Sequence, residues 1–110
     1  MQRTPQDLLP GSLDALILKS LEGGARHGYG ISRWVRQRTH GVLGIEDAAL
    51  YKALHRLADR GCVSSAWGRS DLGRRAKLYE LTEAGRQALA SETNTWRAFA
   101  LAVHRILETG

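Results

Sequence analysis

The run from Ile45 to Leu81, IEDAALYKALHRLADRGCVSSAWGRSDLGRRAKLYEL, constrains the fold more than any other part of this 110-residue chain. Leu50, Leu54 and Leu57 recur at helical spacing, so one face of a helix starting near Glu46-Asp47 must turn inward. The two acids suit the positive end of that helix, and Gly61 supplies its stop. At ~100° per residue the opposite face carries Ala48, Lys52, His55, Arg56 and Asp59, with Tyr51 on one flank. Cys62 to Gly68 then reads as a strand with Val63 and Trp67 on one side. Ser70-Asp71-Leu72-Gly73 has turn chemistry, and Arg74 to Leu81 is the return strand. A helix with a polar, partly cationic outer face, followed by a basic hairpin, is a shape for gripping duplex DNA.

Helical patterns flank this run on both sides. Residues 1–11 read as a loose arm. Ser12 is a good N-cap, and Asp14 stands in the first turn of a helix carrying Leu13, Leu16, Ile17, Leu18 and Leu21. That helix stops at Gly23-Gly24, and its apolar stripe is wider than one small domain needs. One face is therefore free to meet a second subunit. After a turn at Ala25-Arg26-His27, a second helix from about Gly28 to Thr39 sets Tyr29, Ile31, Trp34 and Val35 against Arg33, Arg36 and Arg38. Thr82 caps a last helix running to about Glu108, with Leu89, Trp96, Phe99, Val103 and Ile106 on a four-and-three spacing. The order helix, helix, helix, hairpin, helix predicts a mainly α (α+β) winged helix-turn-helix with a two-stranded wing. The expected units are an arm at 1–11, a DNA-binding domain at 12–82 and a C-terminal dimerisation helix at 83–110.

Composition narrows the function classes. With 43% hydrophobic and 25% charged residues the chain suits one globular domain. A net charge of +5 favours a polyanionic partner, although charge alone does not separate DNA from RNA or a membrane surface. Apolar runs fall far short of the ~20 residues that cross a bilayer, so no membrane partner is expected. Cys62 is the sole cysteine, which excludes an intrachain disulfide and suits a cytoplasmic setting. His27, His40, His55 and His104 are scattered without metal-ligand spacing, and no nucleophile motif is present, so neither a metal, a cofactor nor an enzyme is expected. HGYGI at 27–31 lacks the third glycine of a dinucleotide loop and no strand is expected before it. Its glycines read as close-packing positions, with Tyr29 between two helices.

Four segments in order, LDALILKSL at 13–21, HGYGI at 27–31, ALYKALHRL at 49–57 and GRRAKLYELTEAGR at 73–86, resemble the PadR family of bacterial transcription regulators. The likeness spans Leu8 to Leu107. It implies a dimeric winged-helix repressor, with the third helix in the major groove and the wing near the backbone. The single C-terminal helix resembles the compact subgroup, whose members pair through first and last helices. Some members bind flat aromatic compounds between subunits. The sequence departs from the family pattern at Ala49, where Ser or Thr is common, at Lys52, where Pro is common, and at Glu46, where a shorter cap is common.

The DNA-contacting candidates are Tyr51, Lys52, His55 and Arg56 on the third helix and Arg74, Arg75 and Lys77 on the wing. The helix from Glu46 to Arg60 holds three acids and three bases, so an ordinary solvated face also fits it. The wing is more one-sided: with Arg69, four cations stand against Asp71 alone. The dimer-interface candidates are Leu13, Leu16 and Ile17 on the first helix and Trp96, Phe99, Val103 and Ile106 on the last. Trp96 and Phe99 read as dimer core by spacing; the resemblance adds a wall for a planar aromatic effector. The expected function is sequence-specific transcriptional regulation, as a repressor, by a homodimer on a pseudo-palindromic operator of double-stranded DNA. The alternative is a winged-helix module that uses the same hairpin on an acidic protein.

Overall fold

The computed structural model describes residues 2–69 and 73–109. Among the described residues are four α-helices, α1 Leu13–Ser20, α2 Gly28–Arg38, α3 Asp47–Asp59 and α4 Glu83–Leu107. Three antiparallel strands, β1 Arg26–His27, β2 Val63–Arg69 and β3 Arg75–Leu81, form one sheet in the order β1-β3-β2. The hairpin register pairs Val63 with Leu81, Trp67 with Lys77 and Arg69 with Arg75. The expected turn at 70–73 lies, apart from Gly73, outside the described residues.

The core gathers one face from each element. Ile17, Leu18 and Leu21 follow α1, Ile31 and Val35 come from α2, and Leu50, Leu54 and Leu57 come from α3. Val63, Tyr79 and Leu81 close it from the base of the wing, and Leu89 from α4. Burial of such side chains is worth roughly 1.5–3 kcal/mol each, which holds the three short helices at fixed angles.

Two terminations set the wing relative to α3. Gly61 takes the left-handed conformation (φ 74°), so the amide of Cys62 donates to the Leu57 carbonyl and that of Gly61 to the Ala58 carbonyl. This reversal sends the chain directly into β2. At the other end Thr82 accepts from the Gly85 amide, capping α4, and donates its hydroxyl to the Gly61 carbonyl. The stop of α3 and the start of α4 are thus tied together at the foot of the hairpin.

Several expectations are corrected. The loose arm is folded: Pro5–Gly11 is a 3-10 turn, Leu9 enters the core, and the Gln6 side chain bonds both the amide and the carbonyl of Gly44. A two-residue strand runs into HGYGI and ends on its first residue, since Arg26 pairs with Tyr79 and His27 with Leu78, adding a third strand to the wing sheet. Tyr29 is exposed rather than packed between helices; its ring stacks on His27 at 5.9 Å. Gly28 does mark a close approach, and the group that comes close is the hydroxyl end of Tyr51. No helix among the described residues is long and apolar enough to cross a membrane.

Candidate nucleic-acid interface

The outer face of α3 forms as its spacing requires: Lys52, His55, Arg56 and Asp59 are exposed, opposite the buried leucines. Beside it the wing projects past the core. Strand alternation places Val63 and Trp67 on one side of β2, but only Val63 reaches buried neighbours, and Trp67 is 62% exposed. Lys77 stands directly across from Trp67, and Arg75 is its diagonal neighbour. The Arg75 guanidinium lies 4.9 Å from the Trp67 ring centroid, a cation–π contact that holds the cation out on the wing.

Between the wing and the helices is a cleft of about 670 Å³. Tyr51, Arg74, Arg75 and Lys77 line it together, as do Trp67, Tyr29 and Arg33. None of the described lining residues is acidic. Cations lining a concave strip suit the phosphates of a duplex backbone, and the aromatic rings beside them give the cations a fixed apolar support. Tyr79 forms part of the lining from β3, and burial, with Tyr51 nearby, pushes its phenol above the ordinary range.

The other candidates are placed differently. Lys52 is exposed on α3 but does not line the cleft. His55 points to solvent with its Nε2 3.7 Å from the Asp59 carboxylate one turn along. Arg56 is turned toward α1, where its Nη2 sits 2.6 Å from Oδ1 of Asp14. Of the α2 arginines, Arg33 reaches the cleft, whereas Arg38 lies over Trp34 at 5.1 Å.

Sequence reasoning missed Trp67, Tyr29 and His27 as parts of this surface, and left Arg33, Arg36 and Arg38 open between a solvated face and a backbone contact. His27 is the N-cap of α2, its Nδ1 accepting from the Gly30 amide at 3.1 Å. An exposed tryptophan beside a cluster of arginines was the available signal for Trp67. No local pattern marks His27 as a cap, because capping is ordinarily the work of Ser, Thr, Asp or Asn.

A second surface runs along α4. Trp96, Phe99 and Ile106 are 51%, 66% and 74% exposed, and Val103 is half-buried. Leu13 and Leu16 lie at the edge of the core, and Leu16 lines a groove between α1 and α4 that Trp96 also borders. Ile17 is the correction here. It is wholly enclosed by its own chain as part of the core cluster, so it offers nothing to a partner. Trp96 and Phe99 also border a second groove, closed on its far side by Leu8, Leu9 and Val42.

Comparison with known proteins agrees with this architecture. A solved transcriptional regulator from Clostridium thermocellum is 26% identical, with a TM-score of 0.83 over 93% of this chain and 99% of that one. A PadR family transcription regulator from Clostridium difficile is 28% identical, with a TM-score of 0.74 over 87% and 98% of the two chains. An uncharacterized protein from Lysinibacillus sphaericus is 30% identical over 90 residues, 82% of this chain and 83% of that protein. Residues 17–91 match the transcriptional regulator PadR-like family. With two thirds of its length in that match and the winged-helix fold around it, the chain belongs to the PadR-like family of transcriptional regulators.

Proposed function

We propose that this PadR-like regulator binds double-stranded DNA sequence-specifically as a homodimer and represses transcription by occupying promoter DNA. The observation that carries the reading is the cleft shared by Tyr51 of α3 and Arg74, Arg75 and Lys77 of the wing, with no acidic side chain among its described lining residues. Wing cations supply affinity for any duplex by neutralising phosphates, and the exposed face of α3 at Tyr51 and Lys52 supplies preference among sequences. In its partner role, α4 supports a second copy of the chain. It exposes Trp96, Phe99, Leu101, Ile106 and Leu107 on a single chain, more apolar surface than a solitary helix leaves in water. Two copies joined through α1 and α4 present two α3 helices to half-sites about one helical turn apart, which calls for a pseudo-palindromic operator. The groove bordered by Trp96 and Phe99, of about 860 Å³, has the size and aromatic wall for a flat aromatic effector.

The direct test titrates the protein with duplex from the region upstream of its own gene and with a scrambled duplex of equal length, at physiological salt. Preference for the upstream duplex is expected. Equal binding to both would contradict specific recognition, and binding to neither would favour a protein-binding role for the wing.

A further inference from the structure

The carboxylate of Asp14 stands in the first turn of α1 and reaches across to α3. Its Oδ1 lies 2.6 Å from Nη2 of Arg56, and its Oδ2 lies 3.8 Å from Nη1 of Arg60. Arg56 and Arg60 are one helical turn apart, so a single carboxylate spans the last turn of α3. The other ion pairs among the described residues, such as His55 with Asp59, join residues three or four apart in sequence with both side chains half exposed or more. The Asp14 side chain is only 20% exposed, so water and salt screen this pair less than they screen those. It also joins elements 42 residues apart in sequence. Next to Asp14 in the same turn of α1, Ala15 lines both grooves against α4, where Trp96 stands.

We propose that Asp14 is a positioning residue for DNA recognition. It sets the angle of α3 through Arg56 and Arg60, and Arg56 makes no phosphate contact of its own. A guanidinium held at 2.6 Å by a carboxylate has that donor edge committed to Asp14, even though Asp14 is shared with Arg60 and the Arg56 side chain is half exposed. Because α1 borders the α4 grooves, movement of α1 against α4 is transmitted to α3 through this pair. The proposal rests on the DNA-binding reading above.

The test compares wild type with Asp14→Asn, Arg56→Ala, Arg56→Lys and the double variant Asp14→Asn/Arg56→Ala. Affinity for the upstream and scrambled duplexes is measured over a range of salt, with thermal unfolding followed alongside. Asp14→Asn and Arg56→Ala are each expected to weaken binding to the upstream duplex by about fivefold or more. Binding to the scrambled duplex and the salt slope stay as in wild type. The double variant is no weaker than either single one, and Arg56→Lys recovers most of the loss. A salt slope lower by about one in Arg56→Ala would make Arg56 a phosphate contact and overturn the proposal. Tighter binding by Asp14→Asn would make Asp14 a brake on Arg56, which also overturns it. So would unchanged affinity in every variant, or loss of fold in both single variants at the assay temperature. Wild type that shows no preference between the duplexes would remove the DNA-binding reading, and this proposal with it.

Discussion

The Arg75 guanidinium rests 4.9 Å from the centroid of the Trp67 ring, across the diagonal of the β2–β3 hairpin. Trp67 stays 62% exposed and lies outside the core, so its role on the wing is to give Arg75 a fixed platform. An exposed cation–π contact is worth about 0.5–1 kcal/mol. Trp67→Ala is therefore expected to weaken binding to specific and scrambled duplex alike by roughly two- to fivefold. Trp67→Phe keeps most of the affinity. Fluorescence-anisotropy titration of both variants checks this, and a Trp67→Ala variant that binds like wild type would leave Arg75 without need of its platform.

Two glycines separate function from stability. A Cβ at Gly28 would lie 2.5 Å from the Tyr51 hydroxyl, the far end of a side chain that can swing away. Gly28→Ala should keep the unfolding midpoint near that of wild type while weakening specific DNA binding, because Tyr51 leaves its place in the cleft. A Cβ at Gly85 would instead overlap the backbone carbonyl of Cys62, at the tie between β2 and α4, which cannot yield in the same way. Gly85→Ala is expected to cost about 1–3 kcal/mol or more in chemical denaturation. The reverse ranking of the two variants in stability would contradict the packing described at both sites.

The fold was legible where the signal is local. Leu50, Leu54 and Leu57 state their period outright, Gly61 marks the stop of α3, and Thr82 announces α4. What stayed hidden depends on partners far along the chain. β1 is two residues long and has no alternation to read; it exists because β3 offers an edge to Arg26 and His27. Ile17 and its neighbours on α1 are all apolar, so sequence alone does not say which of them face the core. Arg56 has the spacing of a surface reader, and only the tertiary fold brings Asp14 to it.

Tyr79 makes a prediction at high pH. Burial, and secondarily Tyr51, raise its phenol above the ordinary value of 10.0, so the folded state holds this proton more tightly than the unfolded chain. The sign follows: its contribution to stability is complete below pH ~10 and is lost as pH rises through the folded-state value. Ultraviolet absorbance titration should show one of the tyrosines ionising after the others, and Tyr79→Phe should remove that late step. A late step that persists in Tyr79→Phe would assign the shift to another ring.

Trp96 borders both grooves along α4 while half of its surface is open on a single chain. Central tryptophans of this kind dominate interfaces, and Trp96→Ala is expected to raise the dimer dissociation constant by at least ~tenfold. Sedimentation velocity over a concentration series reads this directly. A variant whose sedimentation matches wild type throughout would take Trp96 out of the interface.

The division of labour between wing and recognition helix is the central claim, and the salt dependence of DNA binding by Arg75→Ala and Lys52→Ala tests it most directly. Arg75→Ala should weaken binding to upstream and scrambled duplex equally and lower the salt slope by about one. Lys52→Ala should change the ratio of the two affinities, because its side chain stands on the exposed face of α3. If both variants keep wild-type affinity, slope and preference, DNA is not held by the surface that joins α3 to the wing.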